Sequence, residues 1–142
     1  LAELNVEKCK LEPDSCIKAP RFPLPGQNLY YWKGTISIDD DVDKIFEEAV
    51  NFWYAEFKNA KQADIDKCCS ENISHFTQVV HDSTIAIGCA ASHFTDGVWN
   101  ATLVACNYSY GNVLGEPVYL TGKSASKCLK GRDSVFTNLC KI

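Results

Sequence analysis

Eight cysteines constrain this chain more than any other feature: Cys9, Cys16, Cys68, Cys69, Cys89, Cys106, Cys128 and Cys140. An even count at this density in 142 residues points to a disulfide framework formed in an oxidising compartment. The competing reading is a reduced zinc protein. Thiolate zinc sites typically draw on closely spaced C-x-x-C pairs, and no such pair occurs here. Three N-x-[ST] sequons, at Asn72, Asn100 and Asn107, fit the same secreted setting as candidate glycan acceptors. No signal peptide opens the chain. Its first residues, LAELNVEKCK, read as the middle of a helix, so the expectation is that a signal and some folded residues precede it.

The remaining composition excludes several classes. Apolar residues make up 46% and charged residues 23%, the balance of one globular domain with a real core. The net charge of −4, with no stripe of Lys and Arg, argues against a nucleic-acid partner. No apolar run reaches the length of a membrane span.

Periodicity places the main elements. Residues 1–11 read as the end of a helix closed by Pro13. The proline-rich APRFPLPGQN that follows reads as an irregular surface loop. The clearest helix is SIDDDVDKIFEEAVNFWYAEFKNA, with Ser37 and Asp40 as a capping box and Asp39, Asp40, Asp41 and Asp43 at its positive start. Val42, Ile45, Phe46, Ala49, Trp53 and Phe57 make its apolar stripe, and Glu56 falls on or beside that stripe. A carboxylate there needs a partner or must reach water. STIAIGCAASHF and VWNATLVACNYSY read as two strands around Thr95-Asp96-Gly97. A hairpin centred on Gly97 and Val98 sets Cys89 opposite Cys106, a plausible cross-strand disulfide. The polar tail from residue 121 has too few apolar residues for its own core, and a Cys128–Cys140 bridge would staple it. Cys68 and Cys69 are neighbours, a strained pair, so at least one is expected to bond elsewhere.

Several of these segments resemble the CAP superfamily, which contains cysteine-rich secretory proteins, insect antigen 5 and plant pathogenesis-related 1 proteins. GQNLYYW, FWYAEFKN, HFTQVVHDSTIAIGCAAS and LVACNYSYGNVLGEPVY follow one another in that family's order and spacing. The ending GKSASKC…G…NLC looks most like dipteran antigen 5-related proteins. The resemblance implies an α+β fold, a three-layer α-β-α sandwich stapled by disulfides. It also implies that residues 1–120 form the CAP domain without its usual first long helix, and that residues 121–142 form a cysteine-containing tail. In antigen 5 relatives, cysteines like Cys9 and Cys16 pair with an N-terminal extension.

The resemblance further implies a cleft that in some relatives carries two histidines and two glutamates and binds zinc. His75 and Glu56 match one histidine and one glutamate. Gln27 replaces the other glutamate, and Pro13 stands where the other histidine belongs. Zinc needs about three or four good protein ligands, and Glu56 with His75 supplies two. His81 lies six residues beyond His75, roughly 240° away if the segment is helical, which points it away from His75. The resemblance implies that it stands where the family usually has tryptophan, as a surface or partly packed residue and not a ligand. His93 is expected on the hairpin. Ser74 and Thr77 lie close by, but no nucleophile with an oxyanion hole is identifiable. The expectation is therefore no enzyme activity, no metal and no cofactor. Gln27, Glu56 and His75 would line a remnant cleft.

Two functions follow from the resemblance. One is a secreted, monomeric scaffold of saliva, venom, reproductive secretion or haemolymph, which shows loops 17–28 and 58–72 to an extracellular protein. The other is sequestration of a small hydrophobic ligand such as a sterol or fatty acid. Its channel would be lined by Tyr30, Tyr31, Trp32, Phe46, Phe52, Trp53 and Tyr54, although such stripes more often pack as core.

Overall fold

The computed structural model describes residues 1–35 and 41–141. In chain order the regular elements are α1 (Ala2–Val6), β1 (Gly26–Gly34), α2 (Val42–Tyr54), a 3-10 turn (Ala55–Asn59), α3 (Gln62–Asp66), a second 3-10 turn (Glu71–Ile73), α4 (Ser74–Val79), β2 (Ile87–Asp96) and β3 (Trp99–Tyr108). The proposed capping box, Ser37 with Asp40, lies outside the described residues. Asp41 caps α2 instead, its side chain accepting from Asp43 N at 3.1 Å.

The three strands form one antiparallel sheet in the order β1-β3-β2. β3 is central because its run Ala101 to Cys106 is buried on both faces. Small residues at Ala101 and Ala105 let the layers approach closely. One face carries Val104, Cys106 and Tyr108, packed with Tyr30 against Ile45, Ala49 and Trp53 of α2. The other carries Leu103 and Ala105 beneath Ala2 and Val6 of α1. The result is the expected α-β-α sandwich. Trp53 is fully buried, and its indole Nε1 donates to Leu29 O at 2.9 Å, tying α2 to β1. The ends of the expected apolar stripe, Val42 and Phe57, are instead exposed.

The hairpin has the expected register. Cys89 faces Cys106 and the two are bridged, with Gly97 at φ +64° in the tight turn. Cys128 and Cys140 are also bridged and close the tail, which has no helix or strand of its own among the described residues. The sulfurs of the chain neighbours Cys68 and Cys69 lie against each other. Cys68 is buried with Ile65, Phe76 and Val118, whereas Cys9 and Cys16 stand exposed and unbridged on the segment after α1.

Three boundaries shift. The N-terminal helix ends at Val6, well before Pro13. The loop read as APRFPLPGQN stops at Pro25, because Gly26 opens β1. Segment 58–72 is less of a loop than expected, since α3 anchors it through Ile65.

Candidate functional site

β1 and β3 bring the first site residue into place. Their register sets Gln27 beside Asn107. Gly26 makes that start possible, since a side chain there would collide with Gln78 and come within 2.8 Å of the Gly111 Cα. The Gln27 carboxamide is fully engaged. Its Nε2 donates to Asn107 Oδ1 at 2.8 Å and to Asp14 Oδ2 at 2.9 Å, while its Oε1 accepts from Asp14 N at 2.9 Å. Burial pushes the Asp14 carboxyl up, but hydrogen bonds led by that of Lys8 outweigh it, and the group ends below the usual carboxylate range.

The second half of the site is built on the start of α4. Ile73, at the head of that helix, offers no side-chain cap, so the first-turn N–H groups need an acceptor. Glu56 reaches across from the 3-10 turn and supplies it. Its Oε2 accepts from His75 N and Phe76 N, both at 3.0 Å, and its Oε1 meets His75 Nδ1 at 2.7 Å. An ionised carboxylate only accepts, so Nδ1 carries the proton and Nε2 is left facing away. From the sheet side, Asn28 Nδ2 donates to His75 O at 3.0 Å, and Asn112 Nδ2 to Ser74 O at 2.8 Å. Asn28 also touches the buried Tyr108 hydroxyl, which burial pushes up to about 12 although the Asn28 contact lowers it.

Gln27, His75 and Pro13 line one cleft of about 340 Å³, together with Leu11, Leu29, Tyr31 and Phe52. Glu56 does not line it. The carboxylate expected at the cleft wall turns inward instead, because two backbone N–H groups and an imidazole claim both its oxygens. A zinc ion does not fit this donor set. Pro13 has no donor atom, the Gln27 amide and both Glu56 oxygens are occupied, and only His75 Nε2 remains. Among the described residues no cluster of three His, Cys, Asp or Glu could hold a metal.

The other candidates are dispersed. His81 is buried, a correction to its surface assignment: its ring lies 5.0 Å from that of Tyr110, and its Nδ1 accepts from Ser83 N at 3.3 Å. α4 ends at Val79, so the 240° argument from a continuous helix does not apply to it. His93 sits on β2 with its Nδ1 2.9 Å from Thr102 Oγ1. Thr77 is buried and donates to Ser74 O at 3.1 Å, the bond of a helix residue and not of a nucleophile. Of the sequons, Asn72 and Asn100 are exposed. Asn107 is corrected: its Oδ1 accepts from Gln27 and its Nδ2 is buried, so the atom that would carry a glycan is sealed inside. Asp14, Asn28 and Asn112 were not singled out by sequence reasoning. The roles of Asp14 and Asn28 depend on the pairing of β1 with β3, for which the sequence carried no separate signal.

Sandwich, cleft and cysteine bridges together define a class, the α-β-α sandwich with one cleft at the junction of sheet and helix. Residues 1–108 match the model of the Cysteine-rich secretory protein family, CAP, and the chain belongs to that family. It is similar to Venom allergen-1 of Aedes albopictus, at 32% identity over 99% of this chain and 56% of that protein. It is also similar to Tabinhibitin 4 of Tabanus yao, at 31% identity over 92% of this chain and 53% of that protein. The chain thus spans about half the length of the curated relatives it matches. Its fold is shared with the crystal structure of NaASP2 with Zn2+, at a TM-score of 0.77 and 23% identity, covering 99% of this chain and 70% of that one. The relatives are antigen 5-like proteins of flies above all, as the ending of the chain suggested.

Proposed function

We propose that this chain is a secreted, non-enzymatic binding protein of antigen 5 type, acting outside the cell on another protein. The observation that supports it most is the engagement of Gln27 and Glu56 by the surrounding fold. Gln27 and Glu56 spend their hydrogen-bonding atoms on the fold, so the cleft offers neither a metal set nor an acid-base pair open to substrate. Disulfides at Cys89–Cys106 and Cys128–Cys140 suit an oxidising compartment. Among the described residues no helix is long and apolar enough to cross a membrane. The segment before β1 is the best display surface, with Pro20, Arg21, Pro23 and Leu24 exposed. The test is a hydrolase screen on protein secreted from insect cells, using casein and short-chain esters. Hydrolysis that vanishes in both Glu56→Gln and His75→Gln would overturn this reading.

A second reading, sequestration of a small hydrophobic ligand, is narrowed by the packing. Tyr30 and Trp53 belong to the core around α2, and Trp32 and Phe46 pack against it, so they do not form a channel wall. Tyr54 is exposed and stacks with Phe57 and Phe76. Phe52 and Tyr31 do reach the cleft, and that is the place where the second reading has support.

A further inference from the structure

The tail is opposite in charge to the body that carries it. Residues 121–142 hold Lys123, Lys127, Lys130, Arg132 and Lys141 against one acid, Asp133, a net side-chain charge of +4. The whole chain is at −4, so residues 1–120 carry −8. The same tail shows large apolar side chains to solvent. Leu129 is fully exposed, and Val135, Phe136 and Leu139 are 60–76% exposed. Both sets of side chains stand on one fixed loop. The Cys128–Cys140 bridge holds its Cα atoms 5.1 Å apart and brings the limb of Lys127 and Leu129 beside that of Leu139 and Lys141. Arg132 pairs with Cys140 in a short antiparallel bridge, and Lys141 N donates to Gly131 O at 2.9 Å. At the tip, Asp133 Oδ1 accepts from Val135 N and Phe136 N, both at 2.8 Å, and fixes the turn that presents those two side chains. Arg132 Nη2 donates to Ser124 O at 3.1 Å, so its guanidinium helps to hold the loop. The four lysines are exposed and form no ion pair among the described residues.

We infer that this stapled loop is a docking surface for an anionic lipid bilayer. Its lysines meet the lipid phosphates and carboxylates, and Val135 and Phe136 enter the interface between headgroups and acyl chains. None of these residues lines the cleft, so the surface is independent of it. A purely polar polyanion would use the lysines and leave four apolar side chains in water, whereas a bilayer interface accommodates both. The charge division also sets the orientation. The body of −8 is repelled by an anionic surface, so the chain approaches tail first. Screening over about 8 Å in physiological salt then lets the groups nearest the surface decide the attraction, and those are the lysines of the tail.

The test is flotation of the secreted protein with vesicles of phosphatidylcholine alone and of phosphatidylcholine with about 30% phosphatidylserine. Binding is expected to the mixed vesicles only, and to fall as salt rises from about 0.1 M to about 1 M. Each lysine removed should weaken binding about fivefold, so Lys127→Gln with Lys130→Gln loses about 25-fold. Phe136→Ser should weaken it about tenfold at constant charge. All three positions are exposed, so thermal unfolding of the variants should match that of the parent. No binding to either vesicle overturns the inference, and equal binding to both overturns its anionic selectivity. Binding that neither the lysine pair nor Phe136→Ser weakens places the contact outside the tail and overturns the surface. Binding weakened by the lysine pair but untouched by Phe136→Ser, with matching retention on heparin, overturns the lipid assignment in favour of a sulfated polysaccharide.

Discussion

Glu56 holds the start of α4, and removing it should unfold that corner before any other. In Glu56→Ala three hydrogen bonds disappear at once: two from backbone N–H groups at 3.0 Å and one from the His75 imidazole at 2.7 Å. Hydrogen bonds to a charged group are worth roughly 1.5–3 kcal/mol each, and a lost helix cap about 1 kcal/mol. The three share one acceptor and are not additive. The Glu56 side chain is 20% exposed, so water can reach part of the vacated site. The expected loss is therefore about 2–4 kcal/mol. In a domain of this size that lowers Tm by roughly 6–12 °C. Glu56→Gln keeps one acceptor and should lose about half as much. His75→Ala leaves both backbone bonds intact and should cost less than either. Thermal unfolding followed by circular dichroism ranks the three variants, and a Glu56–His75 double-mutant cycle isolates the imidazole contact. If Glu56→Ala unfolds within about 1 °C of the parent, the carboxylate is not a cap and the account of the site is wrong.

Three further outcomes are expected. Burial holds the His81 imidazole below the ordinary histidine range, despite the opposite pull of Asp82 and Glu116. The folded state then binds fewer protons than the unfolded chain, so the stability contributed by neutral His81 is full above about pH 6.5 and is lost as pH falls through the lower folded value. Asp14 and Asp133 are depressed carboxyls and act only below about pH 4. Urea midpoints should therefore drop between about pH 7.5 and pH 5, and drop less in His81→Gln; an unchanged slope contradicts the burial argument. Gly26→Ala should destabilise by about 1–3 kcal/mol, because its methyl meets Gln78 and the Gly111 backbone, and a fluorescence-monitored urea melt reads this directly. Glycopeptide mass spectrometry of protein secreted from insect cells should find Asn72 modified and Asn107 bare; a glycan on Asn107 of folded protein would be incompatible with its contact to Gln27.

Helix α2 and the hairpin could be read from the chain because each buries one continuous pattern with its own period. The Cys89–Cys106 bridge followed from the two-residue turn at Gly97. β1 was harder. Its aromatic run, Tyr30-Tyr31-Trp32, puts large side chains on both faces, so neither the helical nor the alternating period stands out. Without β1 the pairing of Gln27 with Asn107 is invisible, and so is the fate of the Asn107 sequon. Glu56 and His75 were found through family resemblance. What resemblance did not convey is the direction of the carboxylate, which is decided by an α4 start that lacks a cap of its own. His81 is more buried than expected, because its ring packs beside that of Tyr110.

The strand order β1-β3-β2 has a consequence in time. β2 and β3 are joined by a two-residue turn and close at little entropic cost, whereas Gln27 and Asn107 are 80 residues apart. The hairpin, locked by Cys89–Cys106, is thus the template on which β1 docks, and the cleft lacks its Gln27, Leu29 and Tyr31 wall until that docking occurs. During oxidative refolding, pulse-labelled amides of β2 should become protected before those of Gln27 and Asn28. The cleft is then the last part of the molecule to come into existence, formed only on chains whose sheet is already complete.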